Sequence, residues 1–549
     1  MRAAVYADGS KAIGNRSRLP ALIELAFILT ESDAACSATI SMSAAPEAKT
    51  STDFFEATRQ GVANAGLRRK LENSTGRHLD HVGHARAEFP AYDAERDTAR
   101  RIKEETLAHL DELLIELKRK LEANGCKVFI ARNAAEARNY IVKVARDIGA
   151  HKIVKGKSMT TEEIELNPAL QAAGMEVVET DLGEYIVQLR HERPSHIITP
   201  AIHLSKEDIG ELFSDQLSIP YTAEPEALTA AARERLRQIF LGAQMGVTGV
   251  NFAIAETGTL VLIENEGNGR LCSTLPDTSV AVMGIEKVIP RLSDLSHFLE
   301  ILARTGTGQK LTTYCNFISG PRRNGELDGP RNVHVVIMDN GRSAMLADPV
   351  LREALCCLRC GACLNVCPVY RRIGGHAYNS VYPGPIGSIV SPNLFGSAAG
   401  HLPFASTLCG ACRDICPVKI DIPRILLHLR WKEGLEGSAL TWPRKQRRAR
   451  NGLARFARMS RHPRAMRILG RLGGLLMRPF ARDGYLRRMP PPFNQWTRGR
   501  DFPAPGGRHF SAEAISPLSA PDRLNSTGSG TDSSASNSSP NSNDTRAAG

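Results

Sequence analysis

The chain has no run of about 18 consecutive apolar residues, so no segment is long enough to cross a bilayer as a helix. Aromatic residues make up only 5% of its 549 residues, and no ladder of stacking rings of the kind that grips single-stranded nucleic acid can be traced. Acids are almost missing from one stretch. Thr441–Arg500 holds seventeen Lys/Arg and a single acid, Asp483, and accounts for more than the whole net charge of +12. Two glycine signatures are absent as well. No G-x-G-x-x-G is found, which leaves dinucleotide binding weakly supported, and Lys155–Ser158 (KGKS) lacks the upstream glycine of a phosphate loop. Cysteine is plentiful but uneven. Five of the twelve are scattered (Cys36, Cys126, Cys272, Cys315 and Cys356), and seven fall in two tight groups. Disulfide scaffolds are small and secreted, whereas clustered cysteines in a long chain point to metal.

At roughly 100–200 residues per domain the length allows two to four domains. Leu19–Thr30 is apolar and follows Arg16 and Arg18, but Glu24 interrupts it, so it does not read as a signal-peptide core. Residues 1–51 are expected to be a disordered extension, with a cytoplasmic start near Met42. Asp53–Leu121 has helical periodicity, with Leu107, Leu110, Leu113, Leu114 and Leu117 over charged faces. Short β-rich runs then alternate with helical ones. The strands are expected at Cys126–Ala131, His151–Lys155, Met175–Thr180, His196–Pro200, Phe252–Ile254, Thr259–Ile263, Val280–Gly284 and Val333–Met338. The helices are expected at Asn133–Ile148, Thr160–Ala173 and Ala227–Leu241. This alternation predicts an α/β domain with a mostly parallel sheet over residues 52–348. At Asp348 the texture changes to Cys, Gly and Pro, and residues 349–432 read as a second, strand-poor domain with a helix at Arg424–Trp431. A basic helical region follows over 433–500. The Ser/Asn/Gly-rich tail, 501–549, cannot bury enough apolar surface to offset chain entropy and is expected to be disordered.

The chemistry lies in the cysteine groups. The first is Cys357-x2-Cys360-x2-Cys363-x3-Cys367-Pro368, a spacing that wraps one loop around an iron–sulfur cube and sends its Pro-flanked last cysteine to the neighbouring cluster. The second, Ser406-x2-Cys409-x2-Cys412-x3-Cys416-Pro417, repeats it with serine at the first position. Exchange of the last cysteines gives cluster one Cys357, Cys360, Cys363 and Cys416, and cluster two Cys367, Cys409 and Cys412. Cluster two lacks a fourth obvious thiolate. A three-iron cluster, an alkoxide from Ser406 or a cysteine from elsewhere each meets the need. Cys356 is nearest, but reads first as a buried free thiol, and Cys272 and Cys315 as core residues. Gly361, Gly410 and nearby backbone amides are candidates to donate to the sulfurs.

Two other readings compete. C-x2-C is also a zinc half-site, and zinc with a basic nucleic-acid-binding region would make a regulatory protein. Alternatively, the α/β domain acts alone on a small carboxylate, with Glu256, Arg270 and the Gly267–Gly269 turn as its site, the turn forming an anion nest. His203, His334 and His376 read as hydrogen-bonded structural residues. Arg444–Arg500, with interleaved Leu453, Phe456, Met459, Ile468, Leu469, Leu472, Leu475 and Leu476, can form an amphipathic basic helix that touches a membrane surface or an acidic partner.

Several segments carry a family likeness: Gly156-Lys-Ser-Met-Thr-Thr-Glu-Glu-Ile164, Pro200-Ala-Ile-His-Leu-Ser-Lys-Glu-Asp-Ile209, Ala255-Glu-Thr-Gly-Thr259, Glu264-Asn-Glu-Gly-Asn268, Gly374-Gly-His-Ala-Tyr378, Tyr382-Pro-Gly-Pro-Ile-Gly387 and Ser406–Pro423. Over about Thr52–Trp496 the chain resembles the lactate utilisation protein B family, the iron–sulfur subunit of a bacterial L-lactate oxidation system. The resemblance implies an N-terminal lactate-utilisation domain similar to the sugar-isomerase and CoA-transferase fold, followed by a helical ferredoxin-like domain with two clusters, both of the [4Fe-4S] type. It implies the same seven cysteine ligands, and the family also has serine at position 406. It further implies electron transfer in the cytoplasm with two companion subunits, L-lactate becoming pyruvate, and no nucleic-acid partner.

Overall fold

A computed structural model of the chain describes residues 51–435, 452, 454–489, 494, 497 and 501–504. The expected N-terminal extension, the start of the basic region and the Ser/Asn tail lie outside the described residues.

Asp53–Leu121 is helical, as its periodicity predicts, but in four pieces: α1 (Ser51–Ala63), α2 (Ala65–Ala87), α3 (Tyr92–Ala108) and α4 (Leu110–Ala123). Asn64 separates the first two, its side chain accepting the Leu67 amide at 2.9 Å as an N-cap. Beyond them, runs rich in valine and isoleucine build a parallel sheet. Its strands are β1 (Lys127–Ala131), β2 (Lys152–Lys155), β3 (Glu176–Glu179), β4 (Met245–Gly249), β7 (Thr278–Gly284) and β10 (Asn332–Met338), in the order β1-β10-β7-β4-β2-β3. Every residue of β7 is buried, as in a strand covered on both faces. Amphipathic helices supply the crossovers that parallel neighbours need. In α5 (Ala134–Asp147), Ala137, Ile141, Val144 and Ala145 face the sheet. At Gly246 of β4 an added Cβ would fall 1.7 Å from the Cys272 carbonyl oxygen, so the helix Asn268–Thr274 can lie on this strand only because glycine is there.

Three sequence expectations change. β5 (Phe252–Ile254) and β6 (Thr259–Glu264) do not join the parallel series. They form a hairpin turning at Gly258 (φ 65°), and with β8 (Val288–Ile289) and β9 (Tyr314–Ile318) make a second sheet, β8-β5-β6-β9. A connection that short cannot link parallel neighbours. The strand expected at His196–Pro200 is a turn. His196 Nδ1 accepts from the amides of Ile198 and Thr199, both at 3.2 Å, and this local bonding displaces a ladder. Thr160–Ala173 is two short helices, Met159–Glu163 and Leu166–Ala172, separated at Glu165 (φ 52°).

Leu351–Arg430 is free of strands, as its composition predicts. It is held between α1–α3 and the α/β body. Tyr370 donates to the Ser195 carbonyl at 2.7 Å, and Gly375 lies so close to Ser195 that a Cβ there would be 1.8 Å from the same oxygen. A buried ionic network completes the junction. Arg342 binds Glu163 twice at 2.9 Å and Glu286 at 2.6 Å, and Tyr382 donates to Glu163 at 2.7 Å. The unit from Trp442 onward contains the helix Pro463–Met477, on which Ile468, Leu469, Leu472, Leu475 and Leu476 are exposed, and the antiparallel pair Tyr485–Leu486 and Phe502–Pro503.

Candidate iron–sulfur site

The two cysteine loops share one backbone shape. In the first, Arg359 (φ 60°) and Gly361 (φ 73°) flank Cys360. In the second, Leu408 (φ 57°) and Gly410 (φ 89°) flank Cys409. Each pair of left-handed turns curls the loop before a short helix, Ala362–Asn365 or Ala411–Ile415, carries the chain to the last cysteine. The glycines serve this curl. Nearby amides reach the middle sulfurs: Ala362 to Cys360 and Ala411 to Cys409.

The thiols sort into two neighbourhoods. Burial, then the nearby Cys416 and Cys357 sulfurs, pushes the Cys360 thiol up; burial, then Cys357 and Cys360, does the same to Cys363. Burial, followed by Cys367 and Cys409, pushes Cys412 up to about 12. Cys357 and Cys416 thus act on Cys360, and Cys367 and Cys409 on Cys412, while Cys412 also reaches Cys363, so the two groups adjoin there. Cys409 alone is exposed, and its thiol is held below the ordinary range, first by the Ala411 amide and then by Thr407.

Such a set fits a polynuclear cluster better than one ion. Sulfurs around a tetrahedral zinc, each about 2.3 Å from the ion, stand about 3.8 Å apart. Among the described residues no three cysteine sulfurs lie mutually within 4.8 Å. Amides also converge on the sulfurs: Arg359 N on Cys357 at 3.4 Å, Tyr370 N on Cys367 at 3.5 Å, Ile386 N on Cys363, and Ile420 and Val418 on Cys416. The buried Tyr378 hydroxyl has no protein partner and lies near Cys367 and Cys363, as an orphan donor beside inorganic sulfide would. Residues from α2 and α3 fix the second loop. Arg96 grips the Cys416 carbonyl at 2.7 and 3.0 Å and that of Asp414 at 2.9 Å, and Arg86 holds the Ile415 carbonyl at 2.8 Å. Nothing in the charged pattern of α2 and α3 signals this clamp.

The other sequence candidates are placed as follows. Ser406 Oγ accepts the Leu408 amide at 3.1 Å, closing the turn before Cys409. Cys356 is buried, its thiol pushed up to about 12 by burial, Cys272 is a core residue, and Cys315 is half-buried against the core. The Gly267 turn does form a nest, but Glu264 fills it, accepting the Gly269 and Arg270 amides at 2.6 and 2.7 Å. Glu256 instead accepts the Leu292 amide at 2.9 Å, so it does not converge with Arg270 on a site. His334 bonds Tyr140 at 2.9 Å; His203 bonds Glu192 at 2.7 Å and packs edge-on against His376.

A parallel α/β domain joined to a strand-poor domain with two interleaved thiol groups defines a class, and family models match both parts. A LUD domain covers residues 114–338 and a 4Fe-4S dicluster domain residues 353–420. The protein is thus an iron–sulfur protein of the LUD type. Curated relatives match nearly end to end. "Lactate utilization protein B" of Oceanobacillus iheyensis is 42% identical over 460 residues, 84% of this chain and 95% of the relative. "Lactate utilization protein B" of Macrococcus caseolyticus is 45% identical over 419 residues, 76% and 87% of the two chains. "Uncharacterized electron transport protein YkgF" of Escherichia coli K12 is 40% identical over 467 residues, 84% and 95%. The chain belongs to the lactate utilization protein B family.

Proposed function

We propose that this protein is the electron-transfer subunit of a system that oxidises L-lactate to pyruvate, working with companion subunits. The names of its relatives and the dicluster match support this reading, and the observation that carries it is the division of seven thiols into two adjoining groups. Cys357, Cys360, Cys363 and Cys416 would hold one cluster, and Cys367, Cys409 and Cys412 the other. Clusters bound there supply one-electron acceptance and release, within roughly −700 to +450 mV for such centres.

The chain's own residues do the rest. The loop amides donate to cysteine sulfurs, which favours the more negative, reduced state and raises the potential. Cys416 is buried and Cys357, Cys360 and Cys363 are half-buried, while exposed Cys409 sets the second group against solvent, where a partner's redox group can approach. Among the described residues no helix is long and apolar enough to cross a membrane.

The test is electron paramagnetic resonance of anaerobically prepared, dithionite-reduced protein. Cys360→Ala should remove one reduced-cluster signal and Cys412→Ala the other. Both signals surviving in either variant would overturn the ligand assignment.

A further inference from the structure

The direction of chain crossover reverses between two neighbouring strands. From β2 the chain steps outward to β3, and from β4 it steps inward to β7. Open α/β sheets bind ligands outside the carboxyl ends of their strands at such a reversal. Here that place is a cavity of about 300 Å³. Gly156-Lys157-Ser158 follow β2 into it, Gly249 ends β4 beside them, and the opposite wall is Arg359 and Cys360 of the first cysteine loop. At Gly249 an added Cβ would fall 2.7 Å from Ser158 Oγ, so the two loops can lie together only with glycine.

The charges in this cavity are unevenly used. Its acids already serve the protein: Glu264 fills its own nest, Asp181 caps the Glu184 amide at 3.2 Å, and Glu266 accepts the Leu182 amide at 3.0 Å. Its cations are less fully used. Arg359 pairs with Glu286 only at 3.9 Å and lies over the Tyr382 ring at 4.4 Å, and its Nη1 is buried without a hydrogen-bond partner. Lys287 is 8% exposed, yet neither it nor Lys157 makes an ion pair or hydrogen bond among the described residues. The Thr248 hydroxyl, 1% exposed, is also unpaired. A buried lysine and a buried hydroxyl without partners are costly, and with half-buried Lys157 and the free Arg359 Nη1 beside them the cavity is shaped for an anion from outside.

We infer that this crevice binds a small 2-hydroxy monocarboxylate, its carboxylate received by Lys157, Lys287 and Arg359 and its hydroxyl by Thr248. The choice of acid rests on the proposed function; the anion site rests on the cavity. Three carboxylates in the same lining favour a monoanion over a phosphate dianion. Cys360 in the wall places the bound acid beside the first thiol group.

Calorimetric titration of anaerobic full-length protein with L-lactate tests this. The wild type should bind saturably, and Lys157→Met and Lys287→Met should each bind about tenfold or more weakly, the loss of one charge-assisted contact. Iron and sulfide content should not change in the variants. Lactate should alter the lineshape of one reduced-cluster signal in the wild type and leave it unmoved in Lys157→Met. Inorganic phosphate should not displace lactate. The site is refuted by absence of saturable lactate binding, by wild-type affinity in Lys157→Met, or by displacement of lactate at equal phosphate concentration. Lactate binding by a protein without clusters would refute only the electron-transfer reading, and clusters without lactate binding only the site.

Discussion

His196 shows at the scale of one residue how the two parts of the protein are fitted together. Its Nδ1 accepts three hydrogen bonds, from the Ile198 and Thr199 amides and the Thr199 hydroxyl, so the proton sits on Nε2, which donates to Asn365 Oδ1 at 3.1 Å. Asn365 belongs to the first cysteine loop, and Gly361 packs directly on the imidazole. Burial, with Lys157 nearby, drives the His196 pKa down to about 3. The folded value lies below the unfolded one of about 6.5, so the stability contributed is present above pH 6.5 and is lost progressively as pH falls toward 3. At pH 5 the loss amounts to about 2 kcal/mol. His196→Asn keeps an acceptor near Nδ1 but cannot titrate. Its stability, read by urea unfolding, should fall between pH 7 and pH 5 by about 2 kcal/mol less than that of the wild type. Equal declines would show that His196 is not held neutral. The residue was readable from the sequence only as part of a β-rich run. Its capture of local amides depends on a loop 169 positions away in the chain.

At the scale of elements, the buried network of Glu163, Glu286, Arg342 and Tyr382 joins a short helix, the segment after β7, the helix after β10 and the cysteine-bearing domain. Burial pushes both carboxyls up, but Arg342 outweighs it and holds them low, Glu286 at about 2. Arg342→Met would leave two buried carboxylates without their counter-charge. It should cost about 3–5 kcal/mol in urea unfolding, and Glu163→Gln in the same chain should recover part of that. A loss under about 1 kcal/mol would mean that the network contributes little. The network was not legible in the sequence: Glu163 and Tyr382 lie in segments that carry the family likeness, but nothing there pairs them with Arg342 or Glu286. The parallel sheet was legible, because strands buried on both faces read as runs of valine and isoleucine. The separate sheet of β5, β6, β8 and β9 was not, because periodicity marks a strand without naming its neighbour. Among these elements the cysteine loops were the most readable. The C-x2-C-x2-C-x3-C-P spacing marks both loops, and their matching pairs of left-handed turns are found there. The clamp from Arg86 and Arg96 and the orphan Tyr378 hydroxyl come from distant segments and needed the fold.

Over the whole molecule, the two parts are built for each other. The sheet places its crevice beside Cys360, helices α1–α3 wrap the cysteine loops, and the ionic network ties the junction from below. That arrangement makes sense if the seven thiolates hold inorganic clusters, since without a cation such a concentration of buried sulfur is stable only as protonated thiols. Metal and acid-labile sulfide quantification on anaerobically purified full-length protein puts this most directly. Two four-iron clusters predict about eight iron and about eight sulfide per chain, or about seven iron if the three-thiolate group holds a three-iron cluster. A colourless protein containing zinc, or one with no acid-labile sulfide, would contradict the account.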